Sequence, residues 1–337
     1  MVRTMLNIAK NLESLSPTFN GELLAAFFKA VGDDLRLNIL RLLHHNDYGV
    51  MELCQLLDVK QSGMSHHLKV LANAGLVVTR RDGNSIFYRR APTAAIEELQ
   101  LLQQTLFSMI DQLQIPTDQQ KRISRINEER SRASLEFFQQ HADKFQANQD
   151  LIASYAQYGN SITEFLDAAY PSGERVLEIG PGEGHFLADL SPRFSEVYAL
   201  DNSAEMLARA KKFATEKALD NIEFFHGDTR WAVVQQLSAD CITVNMVLHH
   251  TPDPAQIFQD LSRLLSPGGS LLITELCQHN QSWTRESCGD LWLGFESEDL
   301  NRWATAAGLS IRNSLYLTQR NGFQIQLQAF VKPSATG

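Results

Sequence analysis

The residues with the clearest chemical potential lie in the second half of the chain, in the run Glu178-Ile-Gly-Pro-Gly-Glu-Gly184. Glycines at Gly180, Gly182 and Gly184 let backbone come close to a ligand, and such a turn delivers the chain into a helix expected to begin near His185. Asp201 follows 21 positions after Gly180 at the end of Val197-Tyr-Ala-Leu, where a ribose diol needs a bidentate acceptor. Asp228, closing Ile222-Glu-Phe-Phe-His-Gly, can accept from an adenine amino group. The loop alone also suits a dinucleotide. However, a G-x-G-x-x-G pattern from Gly180 requires glycine at 185, and the chain has His185. Further on, His249, His250 and Glu275 could take a proton from a hydroxyl or amine, although His-His-Thr-Pro-Asp253 can equally cap a helix.

A second set, nearer the start, suits nucleic acid. Gln61, Ser62, Ser65, His66, Lys69 and Asn73 are short, polar or cationic, and most recur at helical spacing opposite Met64, Leu68 and Leu71. Arg80, Arg81, Arg89 and Arg90 flank Asp82-Gly83-Asn84, a dipeptide signal for a hairpin that could grip a phosphate backbone. Between Lys60 and Arg90 six basic side chains stand against one acid, although the whole chain carries −9. A local excess of this kind makes a phosphate-facing surface plausible, whereas short basic runs are usually solvated faces.

The elements that must position these groups follow from periodicity. Phe27, Phe28, Val31, Leu35, Ile39, Leu40 and Leu43 give two short helices interrupted by Gly32-Asp33-Asp34, and 51–57 and the run from Ser62 give two more at helix-turn-helix spacing. Strands are expected over 76–81 and 85–90. Leu99, Leu102, Leu106, Ile110 and Leu113 make an apolar stripe on a helix over 94–113, ended by Pro116. A polar segment over 117–134 then leads into Leu135-Glu-Phe-Phe138, and 151–168 reads as a helix before a nucleotide-binding sheet. Its strands are expected at 175–179, 197–201, 222–228, 239–246 and 270–275, with Asn321-Gly322 joining a terminal hairpin of 310–318 and 323–331.

At 337 residues the chain suits two modules and a connector, and 44% apolar with 20% charged residues is the mix of a folded protein. No stretch reaches the roughly 18 apolar residues of a membrane span. The first 15 residues, broken by Arg3, Lys10 and Glu13, do not form a secretory signal, so a cytoplasmic location is expected. Cys54, Cys241, Cys277 and Cys288 are scattered and never form C-x-x-C, which argues against a disulfide framework or a zinc site.

Two resemblances sharpen this. Phe28-Lys-Ala-Val-Gly-Asp-Asp-Leu-Arg-Leu-Asn-Ile-Leu40, Met64-Ser-His-His-Leu-Lys-Val-Leu-Ala-Asn-Ala-Gly-Leu-Val77 and Arg81-Asp-Gly-Asn84 resemble the ArsR-type winged helices over about 75 contiguous residues. That resemblance implies a homodimer on an imperfectly palindromic double-stranded DNA operator. It would be read by Gln61, Ser62, Ser65, His66 and Lys69 and gripped by Arg80, Arg81 and Arg89. Metal-sensing members carry a cysteine pair on the third helix. Here Cys54 has only Leu56 where the second thiol would stand, and no metal is expected.

The loop Glu178 to Gly184, with Asp201-Asn-Ser-Ala-Glu-Met-Leu207 and Leu264-Leu-Ser-Pro-Gly-Gly269, resembles the small-molecule class I methyltransferases across some 100 residues. This implies S-adenosylmethionine as the ligand, with S-adenosylhomocysteine as product or effector. The residues that would hold it are Glu178, Gly180, Gly182, Gly184, Asp201, Asn202, Met206, Asp228, Thr229, Asn245 and Met246. The expected fold is a two-domain chain, an α+β winged helix-turn-helix followed by an α/β Rossmann-like sheet with a terminal antiparallel hairpin. Expected divisions are an N-terminal extension (1–17), the DNA-binding and dimerisation domain (18–113), a helical connector (114–159) and the S-adenosylmethionine-binding domain (160–337).

Two functions stay open at this point: a DNA-binding regulator that also methylates a small molecule, with His249 as catalytic base, or a non-catalytic sensor of S-adenosylmethionine or S-adenosylhomocysteine controlling operator binding. The residues 290–295 and Trp303 fall where such folds put the acceptor, or simply pack on the sheet. Arsenite as acceptor would call for several cooperating thiols, for which Cys277 and Cys288 are the candidates.

Overall fold

The computed structural model describes residues 19–334 apart from 45, 84, 95, 171 and 172, and leaves the side chains of 142–146 undescribed. The expected extension 1–17 lies outside the described residues. Two compact units divide the chain, 1–124 and 125–337.

In the first unit, helices Gly21–Val31 and Asp34–Leu42 begin on Asn20 and Asp33, whose side chains accept from the amides of Leu23 and Arg36. Each such cap is worth about 1 kcal/mol. A two-residue strand β1 (Tyr48–Gly49) precedes helix Val50–Leu57, and Asp58, in the left-handed region at φ 55°, turns the chain into helix Gln61–Asn73. Leu40, Leu43, Leu53, Leu56, Met64, Leu68 and Leu71 are buried in this unit's core. Strands β2 (Val77–Asp82) and β3 (Ser85–Arg90) form the expected antiparallel hairpin, and β1 adds to its β3 edge. β1 had no signal in the sequence, because two residues carry no periodicity. The next helix runs Glu97–Asp111, three residues shorter at its start and two at its end than the expected 94–113, so that Leu113 falls beyond it.

The following stretch departs from expectation more strongly. Instead of a polar segment leading into a second helix, Thr117–Ile152 is one helix of 36 residues. It contains no proline or glycine and is rich in Gln, Arg, Glu and Ala, so nothing in its local propensity stops it.

The second unit carries a seven-stranded sheet in the order β6-β5-β4-β7-β8-β10-β9. Its strands are β4 (Gly173–Ile179), β5 (Phe194–Asp201), β6 (Ile222–His226), β7 (Ala239–Asn245), β8 (Leu265–Leu276), β9 (Ser310–Thr318) and β10 (Gln324–Val331). β4 to β8 are parallel, and β10 runs antiparallel to both β8 and β9. Val176, Leu177, Ile242, Val244, Leu271 and Ile273 are buried, as sheet residues covered by helices on both faces must be. One face packs on helix Tyr155–Ala169 through Tyr158, Ile162 and Phe165. On another side Phe258, Phe295, Trp303 and Phe330 pack ring against ring. Strand order reverses at β4: the chain moves outward through β5 and β6, then returns to β7 on the other side. Open α/β sheets bind ligands beyond the carboxyl ends of the strands at such a reversal, here those of β4 and β7.

Candidate functional site

On the first unit, Gln61, Ser62, Ser65, His66, Lys69 and Asn73 are exposed on helix Gln61–Asn73 while its opposite face is buried. His67 turns inward, its Nδ1 3.5 Å from Asp33 and 3.4 Å from the Arg36 guanidinium, a packing role. Arg81 is exposed and Arg89 half-buried on the hairpin.

Arg80 corrects the expectation of a phosphate contact. It is 4% exposed and ion-paired with Asp47 (3.2 Å) and Asp82 (3.5 Å). Strand alternation is the reason: in β2 the side chain of Arg80 shares the inner face with those of Asp82 and Val78, and Arg81 takes the outer one. Arg90 is likewise structural. It donates to the Leu40 carbonyl (2.7 Å) and forks onto Asp111 (3.1 and 2.5 Å).

On the second unit the glycine loop follows β4. Gly180, Gly182 and Gly184 all have positive φ, at 64°, 58° and 89°. A Cβ on Gly180 would stand 2.6 Å from a Val247 methyl, whereas one on Gly182 would meet nothing within 4 Å. The loop is therefore tight against the protein at Gly180 and open at Gly182. The helix expected from His185 is only Leu187–Leu190, because the turns before it close on three-residue bonds such as Leu187 N to Gly184 O (3.1 Å).

Glu178, last but one in β4, is buried and accepts from the Thr243 hydroxyl and from Asn245 Nδ2 (3.0 Å). Burial pushes its carboxyl up to about 8, against the pull of those two bonds. Asp201 ends β5, held by the Ser203 amide on Oδ1 (2.8 Å), with its carboxyl raised to about 6 by burial. Asn202 is exposed next to it and Met206 is buried on the following helix. Asp228 caps helix Thr229–Val234 through Oδ1 (2.7 Å to Trp231 N), and among the described residues its Oδ2 has no hydrogen bond. Thr229 is buried and its hydroxyl donates to Asp260 Oδ2 (2.8 Å), which commits its side chain to the protein. Met246 takes φ 56°, which bends the chain sharply off β7 beside the loop.

Sequence reasoning named His249, His250 and Glu275 separately, and the structure brings them together with a fourth group. His249 Nδ1 lies 2.5 Å from Glu275 Oε1, and its Nε2 faces Asp290 Oδ1 at 3.9 Å. Asp290 is buried, with its carboxyl pushed up to about 6 by burial while the His249 charge pulls it down. The Thr284 hydroxyl lies near enough to act on it but is committed to the Gln281 carbonyl (3.2 Å). The segment 290–295 and Trp303 are packed inward: Trp292 Nε1 donates to the Thr251 carbonyl (2.8 Å), and Trp303 stacks edge-on against Phe295. Cys288 is buried and Cys277 half-buried, with both thiols raised by burial, to about 12 and about 11.

Thr243, two positions before Asn245 on the same face of β7, escaped the sequence reading of the loop; on helix Tyr155–Ala169 the Tyr155 hydroxyl donates to Asp189 (2.7 Å) and its ring stacks on His185. The alternation Thr243-Val-Asn245 in a buried strand was the available signal for that threonine.

Residues 137–314 match the model of a methyltransferase domain, and residues 33–79 that of the arsR family of bacterial regulatory proteins. Curated relatives include an uncharacterized methyltransferase of Bacillus subtilis, 33% identical over 30% of this chain and 40% of its own length. An arsenite methyltransferase of Halobacterium salinarum is 31% identical over 33% of this chain and 29% of its own length. A demethylmenaquinone methyltransferase of Lactococcus lactis is 29% identical over 46% and 62%. The chain thus spans between 29% and 62% of the length of these relatives. Among solved structures, magnesium protoporphyrin IX methyltransferase from Synechocystis, with bound SAH, superposes on 60% of this chain and 99% of its own at TM-score 0.50 and 18% identity, a likeness of fold.

Proposed function

Because the chain belongs to the methyltransferase-domain family and carries an arsR-type helix-turn-helix ahead of that domain, we propose that it is a cytoplasmic, homodimeric transcription regulator that binds operator DNA and transfers a methyl group from S-adenosylmethionine to a small molecule. The division 18–113 for DNA binding and dimerisation, 114–159 as connector and 160–337 for the methyl donor goes with this reading.

The observation that carries it is the reversal of strand order at β4, with a glycine loop open at Gly182 and two carboxyls, buried Glu178 and half-buried Asp201, at the ends of neighbouring parallel strands. In this reading Glu178 and the backbone of Gly180, Gly182 and Gly184 hold the methionine part, and Asp201 with Asn202 the ribose. Asp228 Oδ2 and the Thr229 amide hold adenine, while Met206, Asn245 and Met246 line the walls. Methyl transfer is an in-line displacement: an acceptor lone pair forms the new bond to the methyl carbon as the carbon–sulfur pair returns to sulfur, leaving S-adenosylhomocysteine. The protein supplies orientation and exclusion of water. Where the acceptor is a hydroxyl or amine its proton must also leave, and the Glu275–His249 pair takes that task. Gln61, Ser62, Ser65, His66 and Lys69 meet the DNA major groove, with Arg81 and Arg89 on the flanking phosphates.

The test is calorimetry with S-adenosylmethionine. Asp201→Ala removes a charged acceptor worth about 2 kcal/mol, so affinity should fall some thirtyfold; unchanged binding overturns the ribose assignment. Turnover over a panel of hydroxyl, amine and thiol acceptors tests the catalytic half, and tight binding without any turnover would overturn it.

A further inference from the structure

Four polar side chains, His249, His250, Glu275 and Asp290, crowd together beside the loop 289–295, and two of them keep unsatisfied atoms. His249 Nε2 and both oxygens of Asp290 are buried with no hydrogen-bond partner among the described residues. Asp290 Oδ1 stands 3.9 Å from His249 Nε2 and 3.8 Å from His250 Nδ1, too far for a hydrogen bond, and one ligand atom from each residue falls within 4.8 Å of the others. We infer that His249, His250 and Asp290 bind a divalent first-row transition-metal ion, with Glu275 holding His249 in the ligating tautomer.

Glu275 fixes that tautomer from behind. Its carboxylate takes the Nδ1 proton of His249 at 2.5 Å and the His249 amide at 3.2 Å, which leaves the Nε2 lone pair facing Asp290. A carboxylate behind a histidine is the usual support of a metal ligand. The opposite wall is equally fixed: the amides of Leu291 and Trp292 both donate to the His249 carbonyl, at 2.9 and 3.1 Å, tying Asp290 in place. His250 Nδ1 lies 3.3 Å from the Gly289 carbonyl and its Nε2 3.4 Å from Gln149 Nε2, both long contacts. As it stands Nδ1 donates to the Gly289 carbonyl and Nε2 accepts from Gln149; ion binding exchanges these long bonds, moving the proton to Nε2, where a flipped Gln149 carboxamide accepts it, and turning the Nδ1 lone pair to the ion.

Charge and size favour an ion over an organic ligand. A buried carboxylate with no donor is costly, and a dipositive ion offsets both Asp290 and Glu275. None of the four side chains is more than 7% exposed, the enclosure an ion site needs. Ligand atoms around a tetrahedral ion with bonds near 2.1 Å sit about 3.4 Å apart, so on binding the two Asp290 distances close by about half an ångström and no pair by more than about 1.4 Å. Two imidazoles and one carboxylate select a borderline ion over magnesium or calcium, which take oxygen ligands. Three protein ligands leave a position for water; resting on the methyltransferase reading, a hydroxide on the ion, rather than His249 itself, would then take the acceptor's proton.

The experiment is Co²⁺ titration of the chelator-treated full-length protein, followed by visible spectroscopy, with S-adenosylmethionine affinity measured in parallel. One equivalent of Co²⁺ should produce ligand-field bands that Zn²⁺ abolishes by competition. Asp290→Asn and His250→Ala should lose them, and Glu275→Gln should weaken Co²⁺ at least about tenfold. Absence of bands in the wild type overturns the proposal even if every variant misfolds, as would bands that survive Asp290→Asn. S-adenosylmethionine binding separates the two hypotheses, because it fails with the methyltransferase reading and not with the metal site.

Discussion

Glu178 is a buried carboxyl with no ion pair among the described residues, held near the end of its strand by one hydroxyl and one carboxamide. Its carboxyl lies at about 8, so the folded protein keeps a proton there through neutrality while the unfolded chain releases it near 4.5. The folded state then binds more protons than the unfolded one between these values, and stability falls as pH rises through that window. In the ligand-free protein, melting temperature relative to Glu178→Gln should decline from pH 5 to pH 8 and level off above; a rising difference would contradict it. Asp201 has the same sign and another consequence. Its carboxyl lies at about 6, and a ribose diol needs the carboxylate, so donor affinity should weaken as pH drops below about 6. Asp201→Asn should flatten that dependence in a calorimetric pH series. Both acids were named from sequence, but their titration was not, because burial depends on strands far along the chain.

At the scale of elements, the loop after β4 and the hairpin β2–β3 show how far a pattern reaches. Gly180 combines φ 64° with a Val247 methyl 2.6 Å from its missing Cβ. Gly180→Ala should therefore cost about 1 kcal/mol of backbone strain plus a displaced Val247, read as a lower melting temperature and lost donor binding. Gly182→Ala meets no atom and should show strain alone. In the hairpin, residue composition suggested four arginines for the DNA backbone, yet alternation divides them. Arg80→Ala leaves Asp47 and Asp82 buried without their cation and should destabilise the protein by about 3–5 kcal/mol. Chemical denaturation measures this, and a change under 1 kcal/mol would sink it. Local periodicity gave the strands and the turn; which side of each strand is inner depended on β1 and Asp47, separated from Arg80 by 33 positions.

At the scale of the whole molecule, a chain of net charge −9 is proposed to bind a polyanion. The attraction must then be local, concentrated between Lys60 and Arg90, and strongly dependent on salt. Operator affinity should fall with salt on a log–log plot, and Lys69→Ala should make the slope shallower by about 0.9; an unchanged slope would remove Lys69 from the phosphate contacts. Among the described residues no helix is long and apolar enough to cross a membrane. Both units, the parallel sheet with its antiparallel hairpin, the glycine loop and the acids after it were legible in the sequence. Each is written in a short run of residues whose backbone conformation or periodicity is fixed by near neighbours. Only the tertiary structure turned Arg80 inward, joined two expected segments into the 36-residue helix Thr117–Ile152 and gathered His249, His250, Glu275 and Asp290. Those outcomes depend on burial and on contacts between residues tens of positions apart, which no local pattern encodes.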